Sequence, residues 1–341
     1  MHREKQQSNT ANRSAKFLGT ATIGLLALAC TVYPAMESPL PRNSLGSLHR
    51  VSITHIEETE NAGVHAAPYK EMAERIMTQA GFRVVNSKHS EFQIRIRTQT
   101  EAIKTRYRTL DGASFYAYKG AKSAGTIEVI VPAQKPMILS FSSYQEPPVI
   151  AINQDGEEEP DPALAPFGDA FQLAGGFYDA MNLLLEKQIP QKRLLRMLNL
   201  EFRDFDGLDY KGSLIRFFHE RNITSASANL MKLLDDNEFS CGTICPILSD
   251  WKYEPVLDYC IKILGSAKRP YNLEPVFETH IEFGQRRSMP SIIAFLRTVQ
   301  NPGSDRDSKH QQLALKALHE ISGQDLGNDP SAWTEWLRNN P

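Results

Sequence analysis

The stretch Phe92–Thr100, FQIRIRTQT, alternates residue by residue: Phe92, Ile94 and Ile96 are apolar, while Gln93, Arg95 and Arg97 are polar. A period of two is the mark of a strand with one buried face. Upstream, RVSITHI alternates through Val51, Ile53 and His55. Between them, PYKEMAERIMTQAG switches to a period near 3.6, with Tyr69, Met72, Ala73, Ile76, Met77 and Ala80 on one face. Pro68 suits the first turn of that helix, and Gly81 suits the left-handed position after it. FRVV follows as a strand. Downstream, Asp111-Gly112 is a hairpin signal. SFYAYKG, TIEVIVP and PMILSFSS are three further strand candidates. A polar loop spans Tyr144 to Pro166. FGDAFQLAGGFYDAMNLLLEKQ is then helical through Phe171, Ala174, Phe177, Met181, Leu184 and Leu185. The expected fold is α+β over residues 50–188: a mostly antiparallel sheet with helices on one face.

After Pro190 the strand signals stop. Helix-sized segments with Leu/Ile/Val stripes take over, among them GSLIRFFHER, SASANLMKLLDD, EPVLDYCIKILGS, LEPVFETHIEF and MPSIIAFLRTV. Pro255, Pro275 and Pro290 sit at or near helix starts. No exact repeat is visible. Residues 190–341 are expected to be all-α, their short amphipathic helices stacking in pairs to complete a core.

The tail ALKALHEISGQDLGNDPSAWTEWLRNNP resembles the closing segment of bacterial HEAT-repeat proteins. There, a last repeat helix ends in a T/S-G-Q-D-F/L-G turn, and a short helix with two tryptophans follows. The matching residues are Ser322, Gly323, Gln324, Asp325, Leu326, Gly327, Asp329, Pro330, Trp333 and Trp336. The resemblance implies an α-solenoid that binds proteins. Independently of it, Asp329 is a good N-cap and Pro330 a good first helical residue. Trp333 and Trp336, three apart, can fold onto the preceding helix and close the open end.

At the other end, Phe17–Cys30 is a fourteen-residue run without charge, behind a basic leader. A membrane span needs about 20 apolar residues, so the run is short for one. Gly19, Thr20, Thr22 and Gly24 break any apolar stripe, which argues against a core helix. A basic segment, a short apolar core and small residues form the layout of a secretory signal. The run ends LALAC (Leu26–Cys30), which resembles the lipobox of bacterial lipoproteins. Leu28 departs from the usual pattern, where a small residue is more common. The resemblance implies a signal peptide over 1–29, removed before Cys30, and diacylglycerol on the Cys30 thiol. Lipid chains at about 0.8 kcal/mol per buried CH₂ would then anchor the protein to a membrane. Thr31 follows where the sorting pattern of such lipoproteins places Asp for inner-membrane retention, so the outer membrane is favoured in a Gram-negative source. Residues 30–49, rich in Pro and Ser, read as a flexible tether.

Composition excludes some functions. The net charge is −2, and −5 without the leader's four basic residues and one acid. That is not the basic footprint of a nucleic-acid binder. No complete catalytic set is present. His219-Glu220-Arg-Asn-Ile223 and His319-Glu320 begin like H-E-x-x-H but lack the second histidine, and no G-x-S-x-G or Gly-rich phosphate loop occurs. The acidic stretch Asp155–Asp161 lacks the glycine and final glutamate of a calcium loop. Cys241 and Cys245 form a C-x₃-C that can pair in an oxidising compartment, while Cys260 lies on an apolar helix face. No metal or cofactor is expected. The leading expectation is a non-catalytic envelope lipoprotein with a protein partner. The alternative is an enzyme, or an accessory subunit of one, with a cleft in the α+β module beside the basic residues Arg95, Arg97, Lys104, Arg106 and Arg108.

Overall fold

The computed structural model describes residues 34–58, 67–108, 114–145, 151–152, 158–159, 174–200, 210–236, 240–266 and 269–340, with side chains over these except 102–121, 144–145 and the two short strands that follow. The fold is mixed α+β. Its strands are β1 (Ala35–Glu37), β2 (Arg50–Glu57), β3 (Arg83–Val84), β4 (Phe92–Arg108), β5 (Ser114–Ile130) and β6 (Met137–Gln145), in the order β1-β6-β5-β4-β2-β3. The pairings from β1 to β4 are antiparallel, whereas β2 runs parallel to both β4 and β3. The sheet is therefore mixed: three of its five pairings are antiparallel, and the two made by β2 are parallel. The parallel part follows from the helix α1 (Tyr69–Gln79) between β2 and β3, because parallel neighbours need a crossover. A two-residue pair, β7 (Ala151–Ile152) with β8 (Glu158–Glu159), stands apart.

The alternation of Phe92–Thr100 is realised. Phe92, Ile94, Ile96, Thr98 and Thr100 are buried, and Arg97 and Gln99 are exposed. β2 and β6 add Val51, Ile53, Met137, Leu139 and Phe141 to the same buried layer. Against it pack α1, through Tyr69, Met72, Ala73, Ile76 and Met77, and α2 (Gly175–Gln188). Gly81 takes φ +83° after α1, as its position required. β5 is one strand of seventeen residues where two were expected. Its register shifts by one residue opposite Ile103/Lys104, leaving Lys119 as a bulge.

The expected tether does not hold for residues 35–49. β1 pairs with β6, Leu40 and Leu45 are buried, and the Asn43 amide donates to the Lys187 carbonyl at 3.0 Å. Two leucines among the prolines are enough to bind this segment to the core. Residues 1–33, with the apolar run and Cys30, lie outside the described residues. Among the described residues no helix is long and apolar enough to cross a membrane.

The second half is helical: α3 (Gln191–Met197), α4 (Tyr210–Glu220), α5 (Ser227–Asp235), α6 (Cys241–Asp250), α7 (Pro255–Leu264), α8 (Glu274–Phe283), α9 (Met289–Thr298), α10 (Asp305–Ser322) and α11 (Pro330–Asn339). α6 was not legible as a helix, since Gly242 and Pro246 interrupt it. α6, α8 and α10 touch in succession, as do α7, α9 and α11, with further contacts between the two rows. A backbone feature recurs after alternate helices. Asn222, Lys252, Gly284 and Gly323 all take positive φ just after α4, α6, α8 and α10. Polar links between neighbouring units keep the same stride: His219–Asp250, Ser249–Thr279, Lys252–Glu282 and Arg287–Asp258 are 31, 30, 30 and 29 residues apart.

The hydrophobic core runs through both halves without a break. α2 joins them. Phe177 meets Tyr69 and Phe141 on the sheet side at ring distances of 5.1 and 5.5 Å. Tyr178 meets Tyr210 of α4 at 5.1 Å on the other side. Arg193 of α3 stacks over the Phe82 ring at 4.3 Å and donates to the Ala80 carbonyl. At the far end, the Asp329 side chain accepts the Ser331 amide at 2.9 Å and Pro330 opens α11, as the sequence implied. Trp333 is fully buried and its Nε1–H donates to the Gly327 carbonyl at 2.8 Å. Trp336 is half-buried under Arg286. α11 packs on α9 rather than mainly on the helix directly before it.

Candidate functional site

The helix-facing layer of the sheet changes character toward one end. Val, Ile and Phe give way to His55 and Glu57 on β2, Thr98 and Thr100 on β4, Ser123 on β5 and Ser143 on β6. The register aligns Thr98 with Glu57, and Thr100 with Ser123 and then Ser143, so these residues occupy adjacent cross-strand rows. Tyr69, at the start of α1, closes over them. Thr98, Thr100, Ser123, Ser143 and Tyr69 are all buried.

The bonds form a chain. His55 Nε2 lies 2.6 Å from Thr98 Oγ1, and the Thr98 hydroxyl donates to the Glu57 carboxylate. Glu57 also accepts the Thr100 amide at 3.1 Å. The Tyr69 and Ser123 hydroxyls share a hydrogen bond at 2.7 Å, and Ser123 lies 3.3 Å from the Thr100 hydroxyl. Ser143 Oγ accepts the Gly176 amide at 2.8 Å, satisfying a donor in the first turn of α2. Gly176 is required there, because a Cβ would stand 2.3 Å from the Ser142 carbonyl oxygen.

Burial holds the His55 imidazole below its ordinary value, with Glu57 and Glu71 acting in the opposite direction. Burial pushes the Tyr69 phenol up, so it stays protonated. With the Thr98 proton directed at Glu57, His55 acts as donor toward Thr98 and does not accept that proton. A nucleophile requires the reverse, with its proton on the base. The arrangement is suited to locking α1 and α2 to the sheet and to offering His55 and Glu57, both slightly exposed, to a polar ligand.

The residues singled out in the sequence are not brought together. Arg95 is paired with Glu128 at 2.8 Å. Arg95 and Arg97 occupy odd positions of β4, whereas positions 104, 106 and 108 are even. The bulge is on β5, so β4 keeps its parity, and one pleat face does not hold all five. The side chains of Lys104, Arg106 and Arg108 lie outside the described residues. So does the acidic stretch 155–161, apart from the backbone of β8. A recess of about 330 Å³ lined by Ser38, Pro39, Leu40, Pro41, Gln134 and Lys135 sits at the opposite end of the sheet from the polar layer. His219 pairs with Asp250 at 2.8 Å. No group of three His, Cys, Asp or Glu side chains among the described residues is placed to hold a metal ion.

Cys241, Cys245 and Cys260 are buried free thiols. The Cys241–Cys245 bridge that the sequence left open is not made. The two stand one turn apart on α6, where Cβ atoms are about 5–6 Å from each other, beyond the roughly 3.5–4.5 Å a disulfide spans. Hydrogen bonds with Cys241 and Cys260, and then burial, push the Cys245 thiol up and leave it unreactive.

No protein-family model and no curated protein matches the sequence.

The polar layer escaped sequence reading because its members are scattered from residue 55 to residue 143. Only the registers of β2–β4, β4–β5 and β5–β6 together unite them. The one local signal was the break of apolar alternation at His55-Ile-Glu57 and Thr98-Gln-Thr100.

A titratable group outside this layer gives a pH prediction. His280, on α8, is fully buried, and burial lowers it to about 4, with the Cys260 backbone partly offsetting. Its ring is neutral in the folded protein and takes up a proton below about 6.5 once unfolded. The resulting stability is complete above that value and is lost as the pH falls toward 4, to a total of about 3 kcal/mol. His55 and His310 are shifted in the same direction. Urea midpoints measured from pH 7 to pH 4.5 should fall less steeply for His280→Gln than for the unmodified chain. Parallel profiles would contradict this assignment.

Proposed function

We propose that this protein is a membrane-anchored bacterial envelope lipoprotein, held by lipid on Cys30 and acting as a non-catalytic scaffold for a protein partner through a HEAT-like helical array. The observation that carries the reading is the array itself. Two rows of helices advance in near-equal strides, α4, α6, α8 and α10 are each followed by a left-handed residue, and the last helix buries Trp333 as a cap. Stacked helix pairs of this kind present an extended surface suited to partners rather than a single cleft. The LALAC motif at Leu26–Cys30 supports the anchor. The proposed location is the cell envelope, at the outer membrane in a Gram-negative source.

Replacing Cys30 by Ser tests the anchor. The variant should leave the membrane fraction and lose all labelling by a fatty-acid probe. An unchanged membrane fraction with retained label would contradict the reading.

A second reading, a ligand cleft in the α+β module, draws support from the His55–Thr98–Glu57 chain, whose outer members reach solvent. It moves the place to look from the basic strand residues to the end of β2. A polar ligand that protects the His55 ring from chemical modification would favour this second reading.

A further inference from the structure

α6 and α7 form a hairpin around a well-defined turn. Lys252 takes φ +53° just after α6, and the Lys252 and Tyr253 amides donate to the Ser249 and Leu248 carbonyls, each at 2.9 Å. This is the paired closure of a helix that ends in a left-handed residue. α7 then begins at Pro255 and packs back against α6. Cys245 lies five residues before the end of α6 at Asp250, and Cys260 lies five residues after the start of α7 at Pro255. At 1.5 Å per residue, both stand about 7.5 Å from the turn. They are level with each other across the hairpin.

Burial and contact agree with that placement. Both cysteines are fully buried in the shared core. Cys260 lies on the face of α7 that also buries Val256, Leu257 and Leu264. The Cys245 and Cys260 thiols are hydrogen-bonded to each other, which sets their sulfurs side by side between the helices. Cys241 also touches Cys245, but from one turn away on the same helix, where the Cβ atoms are too far apart for a bridge. Four residues farther from the turn than Cys245, Cys241 is out of level with Cys260 by about 6 Å.

We propose that Cys245 and Cys260 form a disulfide that staples the α6–α7 hairpin, in the oxidising compartment that follows from the lipoprotein reading above. Thiols this deeply buried do not meet an oxidant once the array is packed, so the bond forms while the chain is folding. One cysteine, as thiolate, attacks the disulfide of an oxidant, either glutathione disulfide or a thiol oxidoreductase, and releases one thiol. The other cysteine, as thiolate, attacks the protein sulfur of that mixed disulfide. The S–S bond forms and the second thiol leaves. The two protein thiols lose two electrons and two protons, and both go to the two thiols released. Cys241 stays reduced. The bond closes a sixteen-residue loop, Cys245 to Cys260, and so restricts the unfolded chain.

The test refolds the full chain carrying Cys30→Ser from denaturant and reductant, with and without glutathione disulfide. Free thiols are then counted in the denatured product with a maleimide mass tag. The reduced sample should carry a tag on each of Cys241, Cys245 and Cys260, and the oxidised sample on Cys241 alone. Peptide mapping should join Cys245 to Cys260. Cys241→Ser should keep the bond, and Cys260→Ser should show no intramolecular bond. The oxidised parent should melt several degrees above the reduced one. Tags on all three cysteines after oxidative refolding, or a bond made by Cys241, would overturn the inference. So would a Cys245–Cys260 form that melts below the reduced one, because level sulfurs join without strain. These arms carry no lipid, so they decide the pairing whether or not Cys30 is labelled in cells. In the chain isolated from cells, lipid on Cys30 together with three free thiols counts against the staple alone, and absence of lipid counts against the lipoprotein reading.

Discussion

Trp333→Ala should lower the stability of the whole chain by about 3–5 kcal/mol, the usual cost of emptying a large buried aromatic site. Trp333 is among the largest fully buried side chains, and its ring N–H also satisfies the Gly327 carbonyl. The loss is both a cavity at the open end of the array and an unmade hydrogen bond. A helical array without its cap exposes the apolar face of its last full unit. Urea unfolding followed by circular dichroism measures the change. Trp333→Phe should recover much of it, because it restores ring volume but not the N–H. A loss below about 1 kcal/mol for the alanine variant would show that α11 is an appendage and not a closure.

Tyr69→Ala should cost a similar amount, about 3–5 kcal/mol, for a different reason. The Tyr69 ring is the meeting point of α1, α2 and the sheet. It contacts His55 at 5.6 Å, Phe141 at 5.8 Å and Phe177 at 5.1 Å between ring centres, and its hydroxyl bonds to Ser123. Tyr69→Phe separates the two contributions. It keeps the ring and takes one partner from the Ser123 hydroxyl, at about 1–3 kcal/mol. If the phenylalanine variant is as damaged as the alanine variant, the polar layer dominates. The packing account requires the opposite order.

How much of this was legible depends on whether the signal was local. α1 and the Phe92–Thr100 face were readable because period and burial coincide within one element. The terminal cap was readable because Asp329, Pro330 and Trp333 act within a few residues. Three features were not. Residues 35–49 have a linker's composition, yet Leu40 and Leu45 bind them to the core, and two side chains do not move an average. The left-handed turns after α4, α6, α8 and α10 were hidden because they fall on Asn222, Lys252, Gly284 and Gly323, residue types with no shared pattern. α6 was hidden by Gly242 and Pro246, which tertiary contacts with α5, α7 and α8 override. The polar layer depends on strand order, and strand order is not written in any one strand.

The proposed role of the helical array as an interaction surface rests on what meets it in the cell. Tyr271, 78% exposed between α7 and α8 with Arg306 of α10 over its ring at 4.6 Å, is the most exposed large apolar side chain among the described residues. The most direct measurement replaces Tyr271 by the photo-crosslinker p-benzoylphenylalanine in the anchored full chain, with the exposed Thr54 position of the open sheet face as comparison. The scaffold account predicts a discrete adduct at 271, none at 54, and loss of the adduct when Cys30→Ser removes the anchor. Adducts at 54 alone, or none at either position, would contradict it.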